Sequence, residues 1–122
     1  MSFAETLRRR TFEFAAQAVT FCQRLPQSRE SWEIGRQLLR ASMSVAANYR
    51  AACRGRSRRE FIAKLGVAVE EADETVFWLD LLAATGLVDA SGLESLRQEA
   101  RELRAVLARS HRTARENTRL RE

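Results

Sequence analysis

Of the residue types that do chemistry, this chain offers arginine in excess. It has 21 basic side chains, and only Lys64 is not Arg. A guanidinium is a permanent, planar fork of donors that fits phosphate and carboxylate oxygens. Two groupings stand out. Arg54, Arg56, Arg58 and Arg59 crowd a short turn around Gly55, and Arg36, Arg40, Met43, Ala47, Arg50 and Arg54 recur at alternating steps of four and three residues. On a helix that spacing lines four guanidiniums along one edge. Such an edge either faces an anion or is solvated and salt-bridged, and the row alone leaves both open.

The other reactive residues do not assemble into catalysis. The one carboxylate cluster is Glu70, Glu71, Asp73 and Glu74, and the one histidine is His111. Metal sites in helix bundles need inward Glu residues with Glu-x-x-His pairs, so neither a metal nor a cofactor is expected. The four acids are expected to pair with arginines, with Arg36 or Arg40 suited to any acid near an apolar seam. Cys53 lies near Arg50, Arg54 and Arg56, which favour a thiolate, but no base accompanies it. Cys22 and Cys53 read as free, buried thiols and His111 as a surface residue. Gly55 stands outside any GxxxxGK phosphate loop. No catalytic residue is assigned.

Charge is unevenly spread. Residues 1–60 carry 12 Arg against 5 Glu, a balance of +7. Residues 61–90 carry one Lys against six acids (−5), and residues 91–122 carry 8 Arg against 5 Glu (+3). Basic charge gathered at one turn suits contact with a nucleic-acid backbone, which carries little sequence preference. Tyr49 and Trp32 are the candidates for base stacking. With 122 residues the chain makes one domain. No apolar run approaches a membrane span and no basic-then-apolar leader follows Met1, so a cytoplasmic protein is expected.

The elements that must hold these residues are helices, because one Pro and five Gly leave few breaks. Leu7, Phe14, Ala18, Phe21, Cys22 and Leu25 share a face of a first helix over 4–25, which Pro26 ends. Gln27 to Glu30 read as a turn, and Ser31 opens a second helix. Its interleaved rows (Ile34, Leu38, Ala41, Val45 and Leu39, Ser42, Ala46, Tyr49, Cys53) make a wide stripe. Ser57 and Glu60 have capping-box spacing and open a third helix over 58–85. There Phe61, Leu65, Ala68, Ala72, Thr75, Leu79 and Leu82 follow the 4-3 repeat of a left-handed bundle seam. Gly86 reads as its C-terminal cap. Ser91 to Glu94 read as a second capping box, opening a helix with Leu93, Leu96, Ala100, Leu103 and Leu107 on one face. The pattern fades at His111, so 1–111 is expected to form the bundle and 112–122 a charged, frayed tail. Four helices with short connections predict an all-α, antiparallel up-down-up-down four-helix bundle. The end of the third helix is apolar nearly all round. Phe77, Trp78 and Leu81 exceed what one seam can bury, so another subunit is expected to cover them.

Three stretches, RQLLRASMSVAANYRAA, GRSRREFIAKLGVA and WLDLLAATGL, are followed by a helix with ESLRQEARELRAVL. In this order and spacing they resemble the bacterial S23, or 23S rRNA intervening-sequence protein, family over roughly residues 6–110. The resemblance implies a ring-shaped homopentamer of four-helix bundles and a presumed RNA-binding role. It extends to a similar pentameric bundle, the nucleic-acid-binding accessory protein of diversity-generating retroelements. The chain departs from the family's commoner pattern at Ala47–Ala52, where many members read ANIAEG, and at the more acidic Glu70–Glu74.

The expectation is thus a non-enzymatic homo-oligomer that binds RNA or DNA. Arg50, Arg54, Arg56, Arg58 and Arg59 lead the candidate contacts, and Arg36 and Arg40 follow. The alternative is a structural or adaptor oligomer whose arginines meet an acidic protein partner or the acidic third helix of the next subunit.

Overall fold

Three of the four helices begin on a serine. In the computed structural model, which describes residues 1–121, Ser2, Ser28 and Ser57 each accept from the backbone N–H three residues on. That satisfies one of the orphan donors at each helix start. The helices are α1 (Phe3–Gln23), α2 (Arg29–Cys53), α3 (Arg58–Thr85) and α4 (Leu93–Arg121). α2 opens earlier than its apolar pattern suggests: Ser28 is the cap, so Arg29 and Glu30 are already helical. Gly86 ends α3 in the left-handed region, at φ 67°.

Two expectations are corrected. Ser91 does not cap α4, because Gly92 after it sits at φ 79° and cannot be a first helical residue. Instead the Ser91 N–H donates to Asp89 Oδ1 at 3.0 Å, and the helix begins at Leu93. The frayed tail is also not observed over 112–121. α4 continues to Arg121, and Ala114 is buried. Arg, Ala and Glu keep a helix going after its apolar face runs out. Glu122 lies outside the described residues.

Neighbouring helices pack in chain order. α2 lies against α3 and α3 against α4, α1 lies against α2, and the α1–α4 seam is the thinnest. This is the four-helix bundle the patterns predict. The α3 repeat from Leu65 to Leu82 faces the core, with Phe61 at its margin half-buried. It meets Leu38, Val45 and Tyr49 of α2, Phe14 of α1 and Leu103 and Leu107 of α4. Burying each such side chain stabilises the fold by roughly 1.5–3 kcal/mol before entropy is charged.

Two ends result from this order. One gathers the start of α1, the α2–α3 turn and the end of α4. There Phe3, Arg58, Phe61, Arg109 and Ala114 line one hollow. The other gathers the end of α1 with the α3–α4 connection, where Phe21, Leu25, Leu87, Val88 and Leu96 line another.

Candidate nucleic-acid interface

The α2–α3 turn is tight because Gly55 lets backbone meet backbone. Its N–H donates to Ala52 O at 3.0 Å. A Cβ there would stand 3.1 Å from Ala52 O and 3.2 Å from Phe61 N, neither of which can swing aside. Ser57 then accepts from Glu60 N at 3.1 Å and starts α3 at once. The consequence is that Arg54, Arg56, Arg58 and Arg59 all project into solvent from one short bend. Arg50 joins them one turn back on α2. None of the five has an ion-pair partner among the described residues. They sit at the start of α3, where unpaired amides add to the positive field.

The bundle brings further arginines to this end that the sequence reading did not assign. α1 begins here and contributes Arg8 and Arg9. α4 finishes here and contributes Arg109, Arg112, Arg115, Arg119 and Arg121. All are exposed, and among the described residues only Arg9 of these has a carboxylate within reach, Glu13 at 3.8 Å. The signal was available in two facts together, the charge run at the chain end and an even number of antiparallel helices.

The row on α2 is one exposed edge, as its spacing predicts, but it has two fates. Arg40 is engaged within the chain: it reaches Glu71 and Glu74 of α3, each at 3.2 Å, and Gln37 at 3.4 Å. It is the partner expected for the acidic cluster. Burial pushes the Glu71 carboxyl above its usual range, Arg40 pulls it down, and the neighbouring Glu74 raises it again. Arg36 lies over the Trp32 ring at 5.6 Å and 3.6 Å from Glu33. Both stand well along α2 from the turn, so the structure does not bring them to the Arg54–Arg59 group.

The proposed stacking aromatics separate too. Tyr49 is buried, and its hydroxyl, beside Cys53, titrates well above the ordinary tyrosine range because of burial. Trp32 is exposed but belongs to the opposite end. Phe77 is exposed, while Trp78 and Leu81 are half-buried in their own subunit. The Phe77 and Trp78 rings meet edge-on at 4.8 Å, and the buried Trp78 indole N–H has no acceptor among the described residues.

Cys22 is half-buried, and desolvation raises its thiol to about 11, which makes it a poor nucleophile. His111 is half-buried, not a free surface residue. Its Nε2 lies 3.1 Å from where a Cβ would stand on Gly66, so the imidazole rests on the bare backbone of α3. The site therefore offers many permanent cations in an open arrangement. Its geometry suits holding an anion.

Relatives agree with the fold. A protein of unknown function from the S23 ribosomal protein family of Bacteroides thetaiotaomicron superposes with a TM-score of 0.81 at 30% identity. The match covers 89% of this chain and 97% of that one. No curated protein matches the sequence. The family described as 23S rRNA-intervening sequence protein matches residues 6–109. With nearly the whole bundle inside that match, the chain belongs to the 23S rRNA-intervening sequence protein family.

Proposed function

We propose that this protein is a non-enzymatic homo-oligomer that binds the phosphate backbone of RNA or DNA through the arginine end of its bundle. One observation carries the reading: arginines from all four helices converge at that end, and among the described residues only Arg9 of them meets a carboxylate, Glu13 at 3.8 Å. Side chains that repel one another are held together when a polyanion is the intended guest. Contacts of this kind go to phosphates, so affinity is salt-dependent and tolerant of sequence. The family description, which concerns sequences intervening in 23S rRNA, accords with a nucleic-acid setting.

The test is a binding titration of mixed-sequence RNA and DNA oligonucleotides across a salt series. The expected result is a linear fall of log K with log[salt], and loss of retention when Arg50, Arg54, Arg56, Arg58 and Arg59 are replaced by Glu. Retention unchanged by those replacements would sink the reading. Binding to an acidic protein but to neither nucleic acid would favour the adaptor role.

A further inference from the structure

Two apolar faces of this bundle lack a cover, and they carry opposite charge. The first is a hollow of about 900 Å³ between α1 and α2. Phe12 is 69% exposed there, with Met43 at 47% and Val19 at 37%. Its floor is small residues, among them Ala16 and Ala47, and its rim holds Arg8, Arg9, Arg50 and Arg54 against a single acid, Glu5. The second is the outer face of α3, with Phe77 at 55% and Val67 at 39% exposure. Its exposed charged neighbours are Glu70, which has no ion-pair partner among the described residues, Asp73, which Arg104 of the same chain reaches at 2.9 Å, and Lys64 at its edge. Trp78 backs Phe77 edge-on and stiffens it.

We infer that the α1–α2 hollow of one copy receives the outer face of α3 from the next copy. The inference rests on the self-association reading above and names the surfaces that perform it. Three observations select this pairing. Large exposed apolar patches of this kind mark association surfaces. Hollow against hollow would press the arginines of both rims together, and α3 against α3 would oppose Glu70 with its own copy. Only the mixed pairing brings unlike charges together, which is how interfaces reject wrong partners.

The third observation is register. Phe12 and Val67 each lie nine residues beyond the first residue of their helix, and Met43 lies ten before the last residue of α2. These helix ends all belong to the arginine end. Val19 and Phe77 stand sixteen and nineteen residues beyond their starts. Side by side and without axial offset, Phe12 and Met43 meet Val67, and Val19 approaches Phe77. The two faces belong to different sides of the bundle, so the contact is head-to-tail. A head-to-tail contact closes into a ring only without an axial offset and when its rotation divides a full turn; otherwise it grows a filament.

Two single-site variants test this, Met43→Asp and Phe77→Asp, both at exposed positions, with circular dichroism to confirm folding. Sedimentation of the unaltered chain at micromolar concentration is expected to give a multiple of 13.9 kDa. Each variant alone is expected to sediment as a single chain, with self-affinity down at least tenfold. Mixed together, they are expected to form a 1:1 complex, because each retains the face the other has lost. Variants that assemble like the unaltered chain would overturn the pairing while leaving self-association standing. Loss of assembly without recovery on mixing would also overturn it, and would point to a like-on-like contact. A single-chain mass for the unaltered protein would overturn both the pairing and the reading beneath it.

Discussion

Arginine is present at both ends of the bundle, yet the ends use it differently. Along the upper part of α4, Arg97 and Arg101 reach Asp80 of α3, and Arg104 reaches Asp73 at 2.9 Å. Arg10 of α1 clamps Glu99 and Glu102 across the thin α1–α4 seam, with Nε 2.7 Å from Glu99. The hydrogen bond from Glu99 raises the Arg10 guanidinium further above its already high value. Arg40 ties α2 to α3 in the same manner. In this part of the molecule arginine holds helices to one another. From Arg109 onward on α4, at the start of α1 and around Gly55, the same side chain has almost no acid to meet. The difference comes from the placement of carboxylates: apart from Glu60 in the first turn, the α3 acids fall between Glu70 and Asp80, away from the turn. One residue type thus serves cohesion at one level and leaves a field at another.

The comparison is tested most strongly by moving the same number of charges in each region. Replacing Arg109, Arg112 and Arg115 with Glu is expected to weaken oligonucleotide binding by about a hundredfold at low salt, since several phosphate contacts are lost or reversed. The salt slope should shrink by about one per contact removed. Replacing Arg97, Arg101 and Arg104 with Glu changes net charge equally. Its expected result is a lower melting temperature with binding of the folded fraction changed by no more than a few-fold. Equal loss of binding in both triple variants would show that net charge matters and the division into two ends does not.

How much of this was legible beforehand follows from what each signal encodes. The α3 seam was readable because six residues from Leu65 to Leu82, all but Thr75 apolar, kept a strict alternation of threes and fours, and all six are buried. Ser57 was readable because capping chemistry is local. Arg40 was readable as a row member, but its partners Glu71 and Glu74 required the α2–α3 packing. The α4 arginines were passed over because a charge run states neither its helix face nor its end of the bundle until the helix order is fixed. The hollow at Phe12 and Met43 was missed for a related reason: it is shared by two helices, and each contributes only part of a stripe that reads as mostly polar. Ser91 misled because the spacing of a capping box fits several backbones, and Gly92 chose another.

The arginine end depends on its turn. Gly55→Ala places a Cβ against two immovable backbone atoms, and overpacking of this kind costs about 1–3 kcal/mol. The expected drop in stability is measurable by denaturant titration, and binding should weaken as the turn opens and spreads Arg54, Arg56 and Arg58. A variant as stable as the parent would show that the bend is not constrained there.

Arg40→Ala probes the cohesive use of arginine at smaller scale. Arg40 is about half exposed, so the pair itself contributes little. Its removal still leaves Glu71, only 13% exposed, without its cation. A loss of about 1 kcal/mol is expected, with oligonucleotide binding unchanged because Arg40 stands outside the arginine end. Weakened binding in the folded variant would place Arg40 with the field after all.

The smallest effect concerns Glu71 itself and fixes the sign of that contribution. Burial outweighs Arg40, so the folded chain holds the Glu71 proton more tightly than the unfolded chain does, whose value is 4.5. As pH rises above 4.5 the unfolded chain releases this proton first. The folded state therefore loses stability through the window up to its own raised value, and the loss is complete above it. Glu71→Gln imitates the protonated side chain at every pH. The variant should match the parent near pH 4 and become the more stable of the two toward pH 7. Denaturant titrations at half-unit pH steps measure the gap. A parent more stable than Glu71→Gln at pH 7 would mean that the attraction of Arg40 exceeds the cost of burial, and that the cohesive half of the bundle gains from its ion pairs outright.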